Sequence, residues 1–467
     1  MKMWSGRFRQ PLDPEFERWQ RSFSFDRRLL AHELAASGAH ARALKNAGIL
    51  SSDELINILR GLKQIGEKAA ATPAFLDDDA AEDVHHFVEK QLVALIGDTG
   101  YKLHSGRSRN EQIATDLRLY VRASIDQLRH ELAELCTVLT ERAEKAGDAA
   151  MPAYTHLQRA EPVLVGHWLL AYVEMFLRDA ERLADCRRRL NACPLGSGAV
   201  AGATLSLDRS LMASNLDFDG ATANSIDATS DRDFVLEFVN ALSLLALHLS
   251  RWAEEMILFS SQEYSFVLLP EAYSTGSSAM PQKKNPDLLE LIRGKSGRIV
   301  GNAISLMVAV KGLPLAYNKD LQETQEPVFN SSDTLLQMLP LVAGWMKAVA
   351  FNHERMQQAA QSGFMNAWAG ATYLVKRGVP SRLAHERIGK AVQMCIERGC
   401  ELQDLPLEEL RSLSAAFDQD FYESLKLASV LALHDVPGGT APSRVRQAIN
   451  ATRKRIESLR EEAHAHA

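Results

Sequence analysis

The sequence predicts an all-α protein organised around a bundle of long helices. Three observations carry that prediction: long runs without Gly or Pro, apolar residues spaced by three or four, and no segments that pair convincingly as strands. Residues 107–146 contain neither breaker, and Ile113, Leu117, Tyr120, Leu128, Leu132, Leu135 and Leu139 fall mostly on one helical face. At about 1.5 Å per residue such a run spans roughly 60 Å. A second breaker-free run covers 167–193 and a third covers 221–269, whose later part is heavily apolar. A fourth helical stretch, 288–311, carries Gly294, Gly297 and Gly301, small enough for helices to approach closely. Helices this long need neighbours of similar length to cover their apolar faces, which points to a bundle and to an oligomer. The faces are wider than a coiled-coil seam, and no heptad is sustained.

The flanks differ. Residues up to about Leu103 read as short helices with turn signals at Pro11, Pro14, Gly48 and Pro73, and beyond His353 the helices shorten again. The expected division is an N-terminal helical domain at 1–108, a central long-helix domain at 109–356 and a small helical domain at 357–467.

Of the 467 residues, 46% are hydrophobic and 24% charged, with a formal net charge of −6. That balance suits a soluble chain and gives no encouragement to nucleic acid or an anionic membrane. The first ten residues have no apolar core of the secretory kind. The most apolar stretches, around 299–317 and 335–351, are interrupted by Asn302, Lys311, Gln337, Pro340 and Lys347, so they read as core helices. Cys136, Cys186, Cys193, Cys395 and Cys400 form a sparse set without metal-binding spacing, and a cytoplasmic location is expected.

Three polar loops carry the chemistry. Leu103-His104-Ser105-Gly106-Arg107-Ser108-Arg109-Asn110-Glu111-Gln112 places two arginines at the entry to a long helix, where free N–H groups already favour an anion. Alone it reads more simply as an N-cap with solvated charges. Met151-Pro152-Ala153-Tyr154-Thr155-His156-Leu157-Gln158 offers a histidine in a Pro-bounded turn, suited to proton transfer, although a lone His is more often structural. Tyr273-Ser274-Thr275-Gly276-Ser277-Ser278-Ala279-Met280-Pro281-Gln282-Lys283-Lys284-Asn285-Pro286 brings hydroxyls, cations and an amide before a helix that carries Glu290, and by composition alone it is a flexible linker.

The string from Gly276 to Pro286 resembles the signature GSSxMPxKxNP of the fumarase/aspartase superfamily, and the other two loops match that superfamily's regions in the expected order. Further stretches are similar to its argininosuccinate lyase and δ-crystallin branch. These are Trp4-Ser5-Gly6-Arg7-Phe8, Gly106-Arg107-Ser108-Arg109-Asn110, Tyr154-Thr155-His156-Leu157-Gln158, Pro194-Leu195-Gly196-Ser197-Gly198-Ala199, Ser230-Asp231-Arg232-Asp233-Phe234, and Gly312-Leu313-Pro314 leading to Tyr317-Asn318-Lys319-Asp320-Leu321-Gln322. The likeness runs from about residue 4 to residue 455.

The resemblance implies three mainly helical domains, with the central helices of four subunits joined in a homotetramer whose active sites draw loops from three chains. It implies cleavage of argininosuccinate to arginine and fumarate with no cofactor and no metal. Ser277 corresponds to the base. Lys283 and Asn285 would face the charge that develops on the substrate carboxylate. His156, paired with Glu290, would assist protonation of the leaving nitrogen or orient the substrate. Ser108, Arg109, Asn110 and Thr155 would hold the succinate carboxylates, and Ser22, Tyr317 and Gln322 the arginine half. Two departures stand out: Ser105 replaces a threonine, and Gln325 replaces a lysine that the resemblance places at the carboxylate of the arginine half, with Lys319 as the cation that could substitute. The alternatives are an adenylosuccinate lyase-like enzyme and a catalytically silent, δ-crystallin-like structural homologue.

Overall fold

The computed structural model describes residues 10–464. Long helices occupy Arg109–Ala146, Val165–Leu190, Asp233–Ser260, Asp287–Val310 and Gln325–Ala348. On the first of these, Ile113, Leu117, Val121, Ile125, Leu128, Leu132, Leu135 and Leu139 are all buried, a stripe at helical spacing. Each fully buried Leu or Ile contributes about 1.5–3 kcal/mol, so the stripe, and not intrinsic propensity, holds so long a helix. Gly147 follows its last residue with φ +56, a left-handed turn that stops the helix.

Contacts gather the chain into two compact units. One comprises residues through Asp126 with Arg182–Ser243 and Arg298–Asp333; the other comprises Gln127–Glu181, Leu244–Gly297 and residues from Thr334 onward. The first has an apolar core around Ala36, Ala39, Leu119, Cys193, Met212 and Phe218. In the second, Leu374, Ile388, Cys395, Leu402, Phe417 and Phe421 form a separate core among the shorter C-terminal helices.

Two expectations need correction. The run at 221–269 is not one helix. A short helix, Ser225–Ser230, ends at Asp231, and the long helix begins at Asp233. No Gly or Pro marks the break. The Asp231 carboxylate accepts the Asp233 N–H at 2.7 Å, and the buried Arg232 donates to the Asp231 carbonyl at 2.7 Å, so side chains take backbone partners that a continuous helix would have used.

Strand pairs also exist. Ala150–Thr155 and Gln158–Leu164 form an antiparallel hairpin, and three two-residue ladders join Ala192–Cys193 to Gly220–Ala221, Val267–Leu268 to Ala350–Phe351, and Thr275–Gly276 to Lys284–Asn285. The hairpin carries Pro152 opposite Pro162, which breaks the usual strand signal, and the ladders are too short to leave one.

Among the described residues one helix, Asp233–Ser260, is long enough for a membrane span and contains an 18-residue stretch of mean hydropathy 1.4, but 56% of that stretch is buried inside the protein. It lies outside both stretches singled out as most apolar, and Phe238, Leu242, Leu249 and Trp252 are core residues. All five cysteines are free thiols. The Trp4-to-Phe8 motif lies outside the described residues.

Candidate active site

The first unit carries the anion-binding loop. Gly106, at φ +70, turns the chain where an added Cβ would meet Leu205 at 2.8 Å, and Ser108 then opens the long helix. The Ser108 N–H donates to Glu111 Oε1 at 3.1 Å, and the Ser108 hydroxyl accepts from the Asn110 N–H at 3.2 Å. Glu111 Oε2 takes the Gly198 N–H at 3.0 Å, and Asn110 donates to the Ala199 carbonyl at 3.3 Å. The loop's two arginines behave differently. Arg107 turns inward, donating to Ser37 at 2.9 Å with Glu33 3.8 Å away. Arg109 is paired with Glu82 at 3.1 Å and Asp83 at 3.0 Å.

Beneath the loop lies a buried polar cluster. Glu33 accepts from Ser37 at 2.6 Å and from Gln112 at 3.1 Å, and it meets His85 Nδ1 at 2.8 Å. Burial alone would raise the Glu33 carboxyl, but the charges of His85 and Arg107 and the hydrogen bonds outweigh it and hold Glu33 ionised. Burial and the neighbouring Glu33 charge push the Asp116 carboxyl the other way, well above the usual carboxylate range. The His85 imidazole is drawn up by Glu33 against its own burial. Glu33, His85 and Asp116 bring potential metal-ligand atoms within 4.8 Å of one another. The Arg107 charge, 3.8 Å from Glu33, opposes a cation there, and the cluster reads as an ion-pair and hydrogen-bond network.

Of the residues assigned to the arginine half, Ser22 is buried at the start of the short helix Phe23–Asp26. Its hydroxyl meets Asp26 Oδ2 at 2.6 Å, and its N–H donates to the Glu82 carbonyl at 2.9 Å. Tyr317 is half-buried, and burial pushes its hydroxyl up against the opposing charge of Arg232. Gln322 donates to the Gln20 carbonyl at 3.2 Å, and Lys319 is exposed at the head of the 3-10 turn Lys319–Thr324. Gln325 is only 3% exposed, and its Oε1 has no hydrogen-bond partner. It packs inside the first unit instead of standing beside Gln322 at the surface.

The second unit carries the other two loops. His156 and Leu157 form the two-residue tip of the hairpin, both with positive φ (+55 and +57), and Thr155 pairs with Gln158 across it. That is the φ pattern of a type I′ turn, which Asn and Gly adopt readily and His and Leu only at a cost. Thr155, His156 and Leu157 are all exposed. Strain of this kind concentrates at functional positions.

The 274–286 segment is a small hairpin of its own. Thr275 pairs with Asn285 and Gly276 with Lys284. Asn285 donates to Thr275 Oγ1 at 3.3 Å and to the Gly276 carbonyl at 3.4 Å, and Thr275 donates to Asp287 at 2.6 Å. At the tip, Ser277 Oγ accepts the N–H groups of Ala279 at 3.3 Å and Met280 at 3.1 Å. Two N–H donors on one hydroxyl oxygen favour its negative form. Lys283 and Glu290 are exposed, the latter in the first turn of Asp287–Val310. Lys284 is bound locally, to the Leu269 carbonyl at 3.3 Å and near Glu271 at 3.7 Å.

Comparison with known proteins bears on what these groups do. A family model described as Lyase matches residues 6–301, and one described as Argininosuccinate lyase C-terminal matches 364–432. An argininosuccinate lyase of Koribacter versatilis is 59% identical over 467 residues, all of both chains. The chain belongs to the argininosuccinate lyase family. Another member, from Heliobacterium mobile, is 49% identical over 97% of this chain and 99% of its own. Among solved structures, EDDS lyase in complex with formate superposes with a TM-score of 0.85 at 26% identity, covering 98% of this chain and 93% of that one. The 3-carboxy-cis,cis-muconate lactonizing enzyme of Pseudomonas putida, at 20% identity and TM-score 0.73 over 95% and 100% of the two chains, shares the fold.

Within this argininosuccinate lyase family member, sequence reasoning misses Asp26, Glu33, Glu82, Asp83, His85 and Asp116. They reach one neighbourhood from four separate helices or turns. The available signal is Glu82-Asp83-Val84-His85, a charged start to an otherwise apolar helix, and the Ser22/Asp26 pair at helical spacing.

Proposed function

We propose that the protein cleaves argininosuccinate to arginine and fumarate by anti-elimination, with Ser277 as the base. Ser277 takes the proton from the carbon next to a succinate carboxylate, the C–H electron pair becomes the new double bond, and the guanidinium nitrogen departs with the C–N pair and receives a proton, a transfer that His156 would assist. A serine is a poor base unless its alkoxide is stabilised. The observation that carries this reading is the pair of N–H donors on Ser277 Oγ, on a loop that also presents Lys283. Lys283 and Asn285 then support the dianionic aci-carboxylate. Asn285 is engaged with Thr275 and Gly276 in the free chain, so it must exchange those bonds for the substrate.

His156 and Glu290 face solvent on their own elements, which suits a site completed by neighbouring chains. The reading includes a cytoplasmic homotetramer divided along the chain at 1–108, 109–356 and 357–467. Ser108, Arg109, Asn110 and Thr155 hold the succinate carboxylates, while Ser22, Tyr317 and Gln322 hold the arginine half. Lys319, exposed where Gln325 is buried, is the cation for the arginine carboxylate. A variant of EDDS lyase has been solved with bound fumarate, which supports fumarate as the product here.

Ultraviolet absorbance of fumarate is the direct assay. The wild-type protein is expected to release fumarate from argininosuccinate without added metal, and Ser277→Ala to lose about 10²–10⁴-fold in kcat. Turnover of adenylosuccinate instead, or of neither substrate, would overturn the reading. Mixing His156→Asn and Ser277→Ala subunits should restore some activity if sites are shared, and none if each chain is self-contained.

A further inference from the structure

The sense of the hydrogen bond behind Ser22 has a consequence for what that hydroxyl can recognise. Asp26 is 1% exposed, and both its oxygens are engaged: Oδ2 with the Ser22 hydroxyl at 2.6 Å and Oδ1 with the Val84 N–H at 3.0 Å. An ionised Asp26 has no proton to give, so the Ser22 O–H must donate to it, and the remaining Ser22 lone pairs can then only accept. A protonated Asp26 can donate to Ser22 instead and free the serine proton for an outside acceptor. The groups facing Asp26 are Asp83 and His85, from the start of the Val84–Ile96 helix and its cap, and Asp116 from the Arg109–Ala146 helix. Of these, Asp83 is paired with Arg109, and His85 with Glu33.

We propose that Asp26 is a positioning and specificity-determining residue that fixes Ser22 as an acceptor, so that Ser22 selects the α-ammonium of the arginine half and rejects a carboxylate in its place. The inference rests on the reading that Ser22 meets the arginine half. Burial, followed by the charge of Asp83, pushes the Asp26 carboxyl up to about 7, against the pull of Ser22, His85 and the Val84 N–H. The ammonium is therefore held better as pH rises through neutrality. The hydrogen bonds of Asp26 run to Ser22 and to the Val84 N–H, and Ser22 is the one of these two placed at the ligand, so the effect on the arginine half runs through Ser22.

The test uses arginine as a competitive inhibitor of the full-length enzyme, together with its analogue lacking the α-amino group. Inhibition by arginine is expected to tighten about tenfold between pH 5.5 and 8, as one charge-assisted contact is gained. The desamino analogue should show no such trend. In Asp26→Asn, arginine inhibition should be weaker and flat across this range while kcat changes little, and adding Ser22→Ala to Asp26→Asn should have no further effect. A pH trend that survives Asp26→Asn, or that the desamino analogue shares, overturns the inference and leaves the Ser22 reading standing. Arginine inhibition unchanged in Ser22→Ala overturns that reading, and the inference falls with it. The comparison of the two ligands on the wild-type enzyme stands even if Asp26→Asn fails to fold.

Discussion

The loops at 103–112 and 274–286 are both polar and both lead into a long helix, yet they are built in opposite ways. The first is fastened from below and behind. Arg107 is anchored to Ser37 and Glu33, Arg109 to Glu82 and Asp83, and Glu111 spans the Ser108 and Gly198 N–H groups. The second is fastened to itself and to its own flanks: a two-pair ladder, an Asn285 brace, a serine held by its own backbone, and bonds from Thr275 to Asp287 and from Lys284 to the Leu269 carbonyl. Its Lys283 and Ser278 face solvent. A loop ordered in advance binds a ligand without a further ordering cost. A loop that organises its own basic oxygen leaves the surrounding charges to be recruited by the substrate. The difference fits the proposed division, with binding at the first loop and chemistry at the second.

The largest effect expected from disturbing this comparison is on the chemical side. His156→Asn should lower kcat by about 10²-fold or more, with KM little changed, in steady-state fumarate assays. A matched rise in KM would move His156 to the binding side.

On the binding side, Glu33→Gln leaves His85 and Arg107 without their buried counter-charge, and stability should fall by about 3–5 kcal/mol in denaturant titrations. Loss of activity at unchanged stability would instead give Glu33 a direct chemical role.

Acid should separate the two units more gently. Burial lowers His32 to about 4, His40 to about 3 and His104 to about 4, from 6.5, and all three belong to the first unit. Their neutral forms contribute stability that is present above 6.5 and is lost as pH falls toward those values. His85 shifts upward and does not add to this loss. Hydrogen exchange between pH 6.5 and 4 should therefore accelerate first in peptides from the first unit, and uniform acceleration would count against it.

The smallest expected effect is on arginine affinity in Gln325→Lys. A surface-facing position would gain a charge-assisted contact. A residue 3% exposed gains nothing for the ligand and buries an ammonium, so thermal stability should drop while arginine inhibition does not tighten. Tighter inhibition would place residue 325 back at the ligand and displace Lys319 from that role.

How far the molecule is legible in its sequence depends on how local the cause is. Four of the five long helices fall on runs whose spacing is periodic, because burial of one face is a periodic signal, while Gln325–Ala348, with Pro340 inside it, is foreshadowed only by the apolar stretch at 335–351. The break at Asp231 is invisible to that reasoning, since it depends on where two side chains find backbone partners. The 150–164 hairpin hides behind Pro152 and Pro162, and its tip uses His156 and Leu157 where turn chemistry favours Asn and Gly. The motif residues are found by resemblance, but their states are not: Arg107 turns inward, Asn285 is spent on its own loop and Gln325 is buried. The cluster of Glu33, His85 and Asp116 comes from distant positions, and only the folded chain brings them together.

The division of labour between the two loops is tested most directly by measuring argininosuccinate binding to inactive or weakened variants by calorimetry. The account predicts that Ser277→Ala binds substrate with nearly the wild-type dissociation constant while releasing fumarate about 10²–10⁴-fold more slowly, and that Asn110→Ala binds about tenfold more weakly. Weak binding in Ser277→Ala with normal binding in Asn110→Ala would contradict it.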